Sequence, residues 1–235
     1  MAIFWRLMFG HLLADFTFQT NFINYWKRTS LWGMLAHCFM HPVFYVVLTW
    51  PYLSDYWIDW KGVKLTGWIC IGIIFIIHFI EDQWRVAAIN KTKAQDNTAY
   101  FALDQIIHYV VILAICLGFI TRDTTIFPER WPVLGCLFVI VTHACTVLIY
   151  FFEKDLYGQQ FPDFEEKYLS MAERLVLALT FLIPSGGWIV AAPLWLGMMY
   201  VVREKRLLDL SWLSFYVGAV VSVACGAFAR FLYYS

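Results

Sequence analysis

The sequence has little charge and no excess of either sign. Only 14% of its 235 residues are charged, against about 25% in an ordinary soluble domain, and the formal net charge is zero. Since nucleic-acid binding needs a basic surface, we exclude nucleic acid as a partner. The six cysteines stand singly within apolar runs and form no CxxC pair. This pattern indicates small buried residues rather than disulfides or metal thiolates.

Three other patterns are missing as well. No segment has the strict alternation of a barrel strand, and no internal repeat is visible. The first apolar stretch contains His11 and Asp15 and lacks a small-residue cleavage pattern, so we expect no cleavable signal peptide.

Long apolar runs take the place of these features, and 61% of the residues are hydrophobic. A helix needs about 20 apolar residues to cross a hydrocarbon core. We predict spans near residues 3–25, 31–50, 63–82, 99–120, 131–152 and 211–234. Two shorter segments, 168–183 and 188–202, are separated by Pro184 to Gly187 and form two spans, a re-entrant pair or one broken helix.

The predicted fold is therefore an all-α, polytopic transmembrane helix bundle with seven or eight spans. We expect a single domain over residues 1–235, with a four-helix core in 1–120 and additional spans in 121–235. Glu153 to Lys167 is the longest polar segment and is predicted to be a loop. The loops after spans 1, 3 and 5 carry seven basic residues against five on the opposite side, which favours a cytoplasmic position for the first group.

Ionisable residues recur inside the first four predicted spans, always four positions apart. The pairs are His11 and Asp15, His37 and His41, His78 and Asp82, and Asp104 and His108. Residues four apart share one helix face, so both side chains can converge on one point. Charged groups within a membrane are costly unless they are paired or coordinated. A divalent cation would neutralise the carboxylates and bind the imidazoles together.

The depths of the four pairs allow them to share one layer, which the orientation places toward the cytoplasm. We predict that all eight residues are metal ligands, and eight ligands suggest two ions, with zinc favoured and manganese or iron as alternatives. The competing interpretation is a network of His–Asp hydrogen bonds that fixes the bundle without metal.

Other polar residues have less specific patterns. We predict catalytic roles for Glu81, Asp82 and Asp104; Glu81 is either a ligand or general base, or a solvated residue at a helix end. Gln105 could support a ligand. Lys27 and Arg85 either meet an anionic headgroup or serve as interfacial anchors.

Two polar sites in the C-terminal half are assigned structural roles. His143 stands alone in span 5 and is predicted to be structural, and Glu173 with Arg174 is predicted to be an interfacial pair.

Three segments resemble a bacterial family of integral membrane proteins of unknown function. They are HLLADFTFQTNF at 11–22, HFIEDQWR at 78–85 and FALDQIIHYVVIL at 101–113. In that family an HLLADFxxQ helix is followed by HFxxDxxK and DQxxH helices; this chain has Arg85 where the family often has lysine. The resemblance covers roughly residues 8–115 and implies the bacterial inner membrane, without an activity.

A more distant resemblance concerns the ligand pattern alone. The pairs are similar to those of membrane-bound metal-dependent hydrolases and of the all-helical zinc-dependent phospholipase C and P1 nuclease group, which use HxxxD and HxxxE helix pairs. This resemblance implies hydrolysis.

The preferred hypothesis is an enzyme, a metal-dependent hydrolase of a lipid or lipid-linked phosphoester, whose partners are the bilayer and its lipid substrate. Alternatives are a di-iron lipid oxidoreductase, a non-enzymatic ion- or proton-coupled transporter and a haem protein. The five clustered histidines are fewer than the eight or so that histidine-rich di-iron membrane sites use. The oligomeric state is left open.

Overall fold

The computed structural model describes residues 1–92, 96–117, 126–158, 164–205 and 211–234. The chain divides into two compact units, Met1–Cys136 and Leu137–Ser235. Helices dominate the described residues, so the all-α prediction is confirmed. The single domain with a division after residue 120 stays a prediction.

In the part of the first unit that the structure describes, five helices and one hairpin precede the helix that crosses the boundary after Cys136. The elements are α1 (Ala2–Leu12), a π-helical turn (Leu13–Thr17), α2 (Asn21–Thr29), α3 (Leu31–Thr49), a 3₁₀ turn (Trp50–Tyr52), β1 (Tyr56–Trp60), β2 (Val63–Thr66), α4 (Gly67–Thr92) and α5 (Thr98–Leu117). Its apolar core lies beneath the hairpin, around Leu7, Tyr45, Trp57, Ile74 and Ile112. This core packs α1, α3, α4 and α5 together on one side of the site described below.

The remaining helices are α6 (Arg130–Val139), a second π-helical turn (Ile140–Ala144), α7 (Cys145–Tyr157), α8 (Phe164–Thr180), α9 (Trp188–Glu204) and α10 (Trp212–Tyr234). The predicted loop over 153–167 is partly helical, because α7 continues to Tyr157 and ends at Gly158 in the left-handed conformation. Residues 159–163 of that loop lie outside the described residues, as do Lys93 and Arg122 of the orientation count.

Four helices among the described residues are long and apolar enough to cross a membrane. They are Leu31–Tyr52, Thr98–Leu117, Arg130–Tyr157 and Trp212–Tyr234. Each coincides with a predicted span. The predicted total of seven or eight spans is not supported.

The other predicted spans fail for separate reasons. The first is interrupted after Thr17, and Thr20 starts a new helix by accepting a hydrogen bond from the Ile23 amide at 3.2 Å. α4 turns polar at Glu81, and α8 and α9 have only 17 residues each. The turn between α8 and α9 makes them two separate helices.

The hairpin was missed because Val63 to Thr66 reads as the start of an apolar run. β1 and β2 pair antiparallel, with Asp59 opposite Lys64. Lys61 and Gly62 connect them, and both have positive φ, at 48° and 86°. Positive φ at both central residues is the geometry of a tight two-residue hairpin turn.

The second unit has a buried polar framework that contradicts the prediction of an interfacial Glu173–Arg174 pair. Glu173 instead accepts hydrogen bonds from Arg203 at 2.7 and 3.2 Å. Arg174 is almost fully buried and donates to the Thr142 carbonyl and the Thr146 hydroxyl. Tertiary packing, invisible in the local sequence, therefore separates the neighbours into two interactions.

Gly33 permits the close approach of α2 and α3. A Cβ at this position would lie 2.3 Å from the backbone of Trp26. We expect Gly33→Ala to lower the free energy of unfolding by at least about 1–3 kcal/mol, the usual cost of overpacking. Thermal melting in detergent measures this loss. Gly72→Ala in α4 is the matched control, since its Cβ would meet nothing within 4 Å, and equal melting of both variants would contradict the assignment.

Candidate metal centre

The four predicted pairs meet in one buried cluster in the first unit. All eight of their side chains are buried, and His11, His37 and His41 are completely inaccessible. α1 with its π-helical turn, α3, α4 and α5 each supply one pair. The imidazole rings are tilted against one another at close range, with centroids 3.8 Å apart for His41 and His78 and 4.1 Å apart for His78 and His108.

Asp15 lies at the centre of the histidines. Its Oδ1 atom is 3.1 Å from His41 Nε2 and 3.3 Å from His37 Nε2. Its Oδ2 atom is 3.5 Å from His11 Nε2. Asp15 belongs to the π-helical turn, where Phe18 N–H donates to the Leu13 carbonyl five residues back at 2.9 Å. Such turns recur at functional sites because they redirect side chains within a helix.

The second carboxylate group surrounds His108. His108 Nε2 lies 3.0 Å from Glu81 Oε2 and 3.7 Å from Asp104 Oδ1. Asp82 Oδ2 lies 3.2 Å from His37 Nε2 and 3.7 Å from His78 Nε2. Asp82 therefore lies beside both the histidine-rich and the carboxylate-rich parts of the cluster.

Within the described residues, three overlapping sets of side chains could each hold a metal ion, with all ligand atoms of a set within 4.8 Å of one another. The sets are Asp15, His37, His41 and His78; Cys38, His78 and Asp82; and Glu81, Asp82, Asp104 and His108. His11 belongs to none of these sets. It lines a cavity of about 10 Å³ with His78 and His108, which has room for roughly one water-sized particle.

The spacing of the donor atoms is that of ligands around an ion. Two donors about 2.1 Å from one metal lie roughly 3.0–3.4 Å apart at right or tetrahedral angles. His41 Nε2 with Asp15 Oδ1 at 3.1 Å matches this range. Neither atom has a hydrogen-bond partner among the described residues, although both are buried.

The same feature recurs on the carboxylate side. Glu81 Oε2 and His108 Nε2 are 3.0 Å apart, yet both lack a hydrogen bond within the described parts of the chain, as do Asp104 Oδ1 and His78 Nε2. Buried polar groups are ordinarily hydrogen-bonded. A closed His–Asp network would satisfy these atoms, whereas lone pairs that converge on an ion would not bond each other. These buried atoms could therefore coordinate a metal ion.

Gln105 supports the carboxylates from α5. Its side-chain amide donates to Asp15 Oδ2 at 3.1 Å and to Asp104 Oδ2 at 3.2 Å, and its carbonyl oxygen lies 3.3 Å from His11 Nε2. One amide thus orients three predicted ligands. This is the arrangement that fixes metal ligands from outside the coordination sphere.

Lys27 and Arg85 are not interfacial anchors, because both are buried against the cluster. Lys27 Nζ lies 3.3 Å from His37 Nε2 and 3.4 Å from Asp82 Oδ2. Arg85 binds Asp104 at 2.9 Å through one amino group and Asp96 at 2.9 Å through the other.

Asp96 and Cys38 are neighbours of the cluster that sequence analysis missed. Asp96 also accepts from Arg28 at 2.5 Å; burial opposes its ionisation, but Arg85 and Arg28 hold the pKa of its carboxyl below the ordinary value. Cys38 Sγ lies 4.0 Å from Asp82 Oδ2. Cys38 lies within the HCFMH segment, directly after His37, and this position was the signal that could have placed it near the cluster. Asp96 has no motif and lies in a predicted loop.

His143 is separate from this cluster. It lies half-buried in the second π-helical turn, with its Nδ1 atom 3.1 Å from the Thr142 hydroxyl. Its structural role stays a prediction.

The fold and the site define a helical protein with apolar helices long enough to cross a membrane and a buried His/Asp cluster that could bind metal. A model of the family described as "protein of unknown function (DUF3307)" matches residues 3–134, and the chain belongs to that family. The matched region contains the whole cluster. No curated protein and no solved structure matches the chain.

Proposed function

We propose that the chain is a membrane-embedded, metal-dependent hydrolase that acts on a lipid or lipid-linked phosphoester. The observation that carries the proposal is the continuity of the three ligand sets: the first and second share His78, and the second and third share Asp82. Shared ligands suit two adjacent ions, and two closely spaced metals are common in enzymes that cleave phosphoesters. Zinc is the favoured ion, because imidazole and carboxylate donors suit it.

Bound divalent ions would polarise the phosphoryl oxygen and lower the pKa of a water molecule. The protein's own groups supply the remaining requirements. Glu81 is the proposed general base, since its Oε2 atom has no hydrogen bond within the described chain and lies 3.0 Å from His108 Nε2. The carboxylates of Asp82 and Asp104 would bind the ions, and they lie 3.4 Å from Lys27 and 2.9 Å from Arg85 respectively.

The position of the cluster on apolar helices supports a lipid substrate. Two of its four pairs lie on Leu31–Tyr52 and Thr98–Leu117, which are helices able to cross a membrane. A substrate that reaches such a site from the bilayer has an apolar tail and a polar reacting group. We place the site toward the cytoplasm, on the basis of the basic residues in the loops.

Turnover of phosphoester lipids tests the proposal. The purified protein, loaded with zinc or manganese in detergent, is incubated with a panel of phosphomonoester and phosphodiester lipids, and released phosphate or headgroup is measured. We expect hydrolysis of at least one class, lost on chelation and restored by metal. Asp59→Ala, on the exposed hairpin, is the matched control and should keep full activity. Hydrolysis that survives complete metal removal would contradict the proposal.

A further inference from the structure

A basic cleft opens directly beside the metal cluster. It has a cavity of about 40 Å³, with Lys27, Arg28, Arg85 and Asp82 among its lining residues. Lys27 and Arg28 come from α2, and Arg85 comes from α4 one turn beyond Asp82. Three cationic side chains therefore lead from the surface to a predicted metal ligand.

The cations differ in their access. The Arg28 side chain is 37% exposed and lies at the mouth, whereas Lys27 and Arg85 are buried farther in. Arg85 Nε is buried and has no hydrogen-bond partner within the described ranges. Since Arg85 lines the cavity, this unpartnered N–H is a donor available to an anion.

The charges around the cluster also call for an anion. Among the described residues, five buried carboxylates lie near three cations: Asp15, Glu81, Asp82, Asp96 and Asp104 beside Lys27, Arg28 and Arg85. With the imidazoles neutral, as metal ligands are, the excess of two negative charges among these groups matches one divalent ion. Two divalent ions would leave an excess of two positive charges, which a doubly charged anion in the adjacent cleft would neutralise. Uncompensated charge of this size is costly in a buried site.

We infer that this cleft binds the phosphate group of the substrate and holds it beside the metal that Asp82 would bind. The inference rests on the proposed function and adds a recognition site to it: Arg28 meets the phosphate at the mouth, and Lys27 and Arg85 meet it inside. Guanidinium groups suit this task because their planar N–H groups match phosphate oxygens. The phosphate belongs either to a lipid headgroup or to a soluble phosphate compound.

Binding of two probes to the zinc-loaded protein tests the inference. Inorganic phosphate is titrated by calorimetry, and retention of phosphatidic acid against phosphatidylcholine is measured by native mass spectrometry. We expect Arg28→Gln to weaken binding about tenfold or more, the usual effect of losing a charged hydrogen bond. Arg28→Lys should retain most of the affinity. Lys64→Gln, which removes an exposed lysine on the hairpin, should bind like wild type.

The two probes separate the sources of the phosphate. Selective retention of phosphatidic acid assigns the cleft to a lipid headgroup, and equally strong binding of inorganic phosphate assigns it to a soluble phosphate. If wild type binds neither probe, or if Arg28→Gln binds both as wild type does, the inference is wrong.

Metal content and lipid turnover of the same samples keep the two proposals apart. Since Arg28 contacts Asp96 and Asn24 rather than a predicted ligand, Arg28→Gln should keep its metal. If the protein binds metal and hydrolyses lipid but its phosphate binding does not depend on Arg28, only the inference about the cleft is wrong. If the protein binds phosphate through the cleft but takes up no metal, the proposed hydrolase activity is wrong and the inference about the cleft stands.

Discussion

Asp15→Ala is expected to remove most of the bound metal and to leave the helical bundle folded. The carboxylate of Asp15 lies within 3.5 Å of three imidazoles, those of His11, His37 and His41, and no other carboxylate is so placed in the described chain. Loss of a supporting residue outside a coordination sphere typically costs 10–100-fold in affinity, so loss of this central ligand should exceed about tenfold. Elemental analysis of the detergent-purified variant measures the change.

The control for this variant is the same substitution, aspartate to alanine, at an exposed position away from the cluster. Asp59→Ala removes an exposed carboxylate from β1 in the same unit and should keep the full metal content. Circular dichroism and monodisperse elution establish that Asp15→Ala is folded. A folded Asp15→Ala protein with full metal would contradict the central position of this carboxylate, and we expect Asp104→Ala to lower bound metal in the same way.

Asp82→Asn is expected to have the largest effect on catalysis. Asp82 belongs to two of the three ligand sets, and its Oδ2 atom also lies 3.4 Å from Lys27 Nζ. Asparagine keeps the size of the side chain but removes the charge that would bind metal and balance Lys27. We expect turnover to fall by at least about a hundredfold, which corresponds to about 2.7 kcal/mol of the barrier. The decrease should be accompanied by the loss of about one metal equivalent.

Steady-state hydrolysis at saturating metal distinguishes a lost ligand from a weakened one. Partial recovery at high zinc indicates weaker binding, whereas a low plateau indicates a role in the reaction itself. Asp59→Asn is the matched control, with the same substitution on the exposed strand. If Asp82→Asn turns over substrate as fast as wild type, Asp82 is not a functional residue of the site and does not connect the two sets to which it belongs.

The sequence was sufficient to predict which residues gather in the buried cluster, because the spacing of each pair is local, whereas their roles as ligands stay a prediction. Each pair lies within one helix, where a spacing of four residues places both side chains on one face. Convergence of four such faces follows from the cost of charge in an apolar bundle. The structure indeed brings His11, Asp15 and their counterparts on α3, α4 and α5 into one cluster.

Features that depend on tertiary contacts were not predictable. Lys27 looked like an interfacial residue because nothing local shows that the chain breaks after Thr17 and that α2 folds against α3. Asp96 lies far from any motif, and only packing brings it to Arg28 and Arg85.

The number of spans was overestimated because hydrophobicity does not separate residues that face lipid from residues that face a protein core. Leu7 and Ile74 belong to the core of the first unit, yet they contributed to the predicted spans as much as residues that would face lipid. α4 shows the same effect, since its apolar start merges with the hairpin and its end carries the polar residues of the cluster.

Metal content of the wild-type protein tests the central claim most directly. The protein is purified in detergent without chelator, dialysed extensively and analysed by plasma mass spectrometry, before and after reconstitution with zinc, manganese or iron. The His/Asp cluster predicts about two equivalents of one of these metals per chain. Repeated absence of bound metal, even after reconstitution, would contradict the account and leave the cluster as a structural polar network.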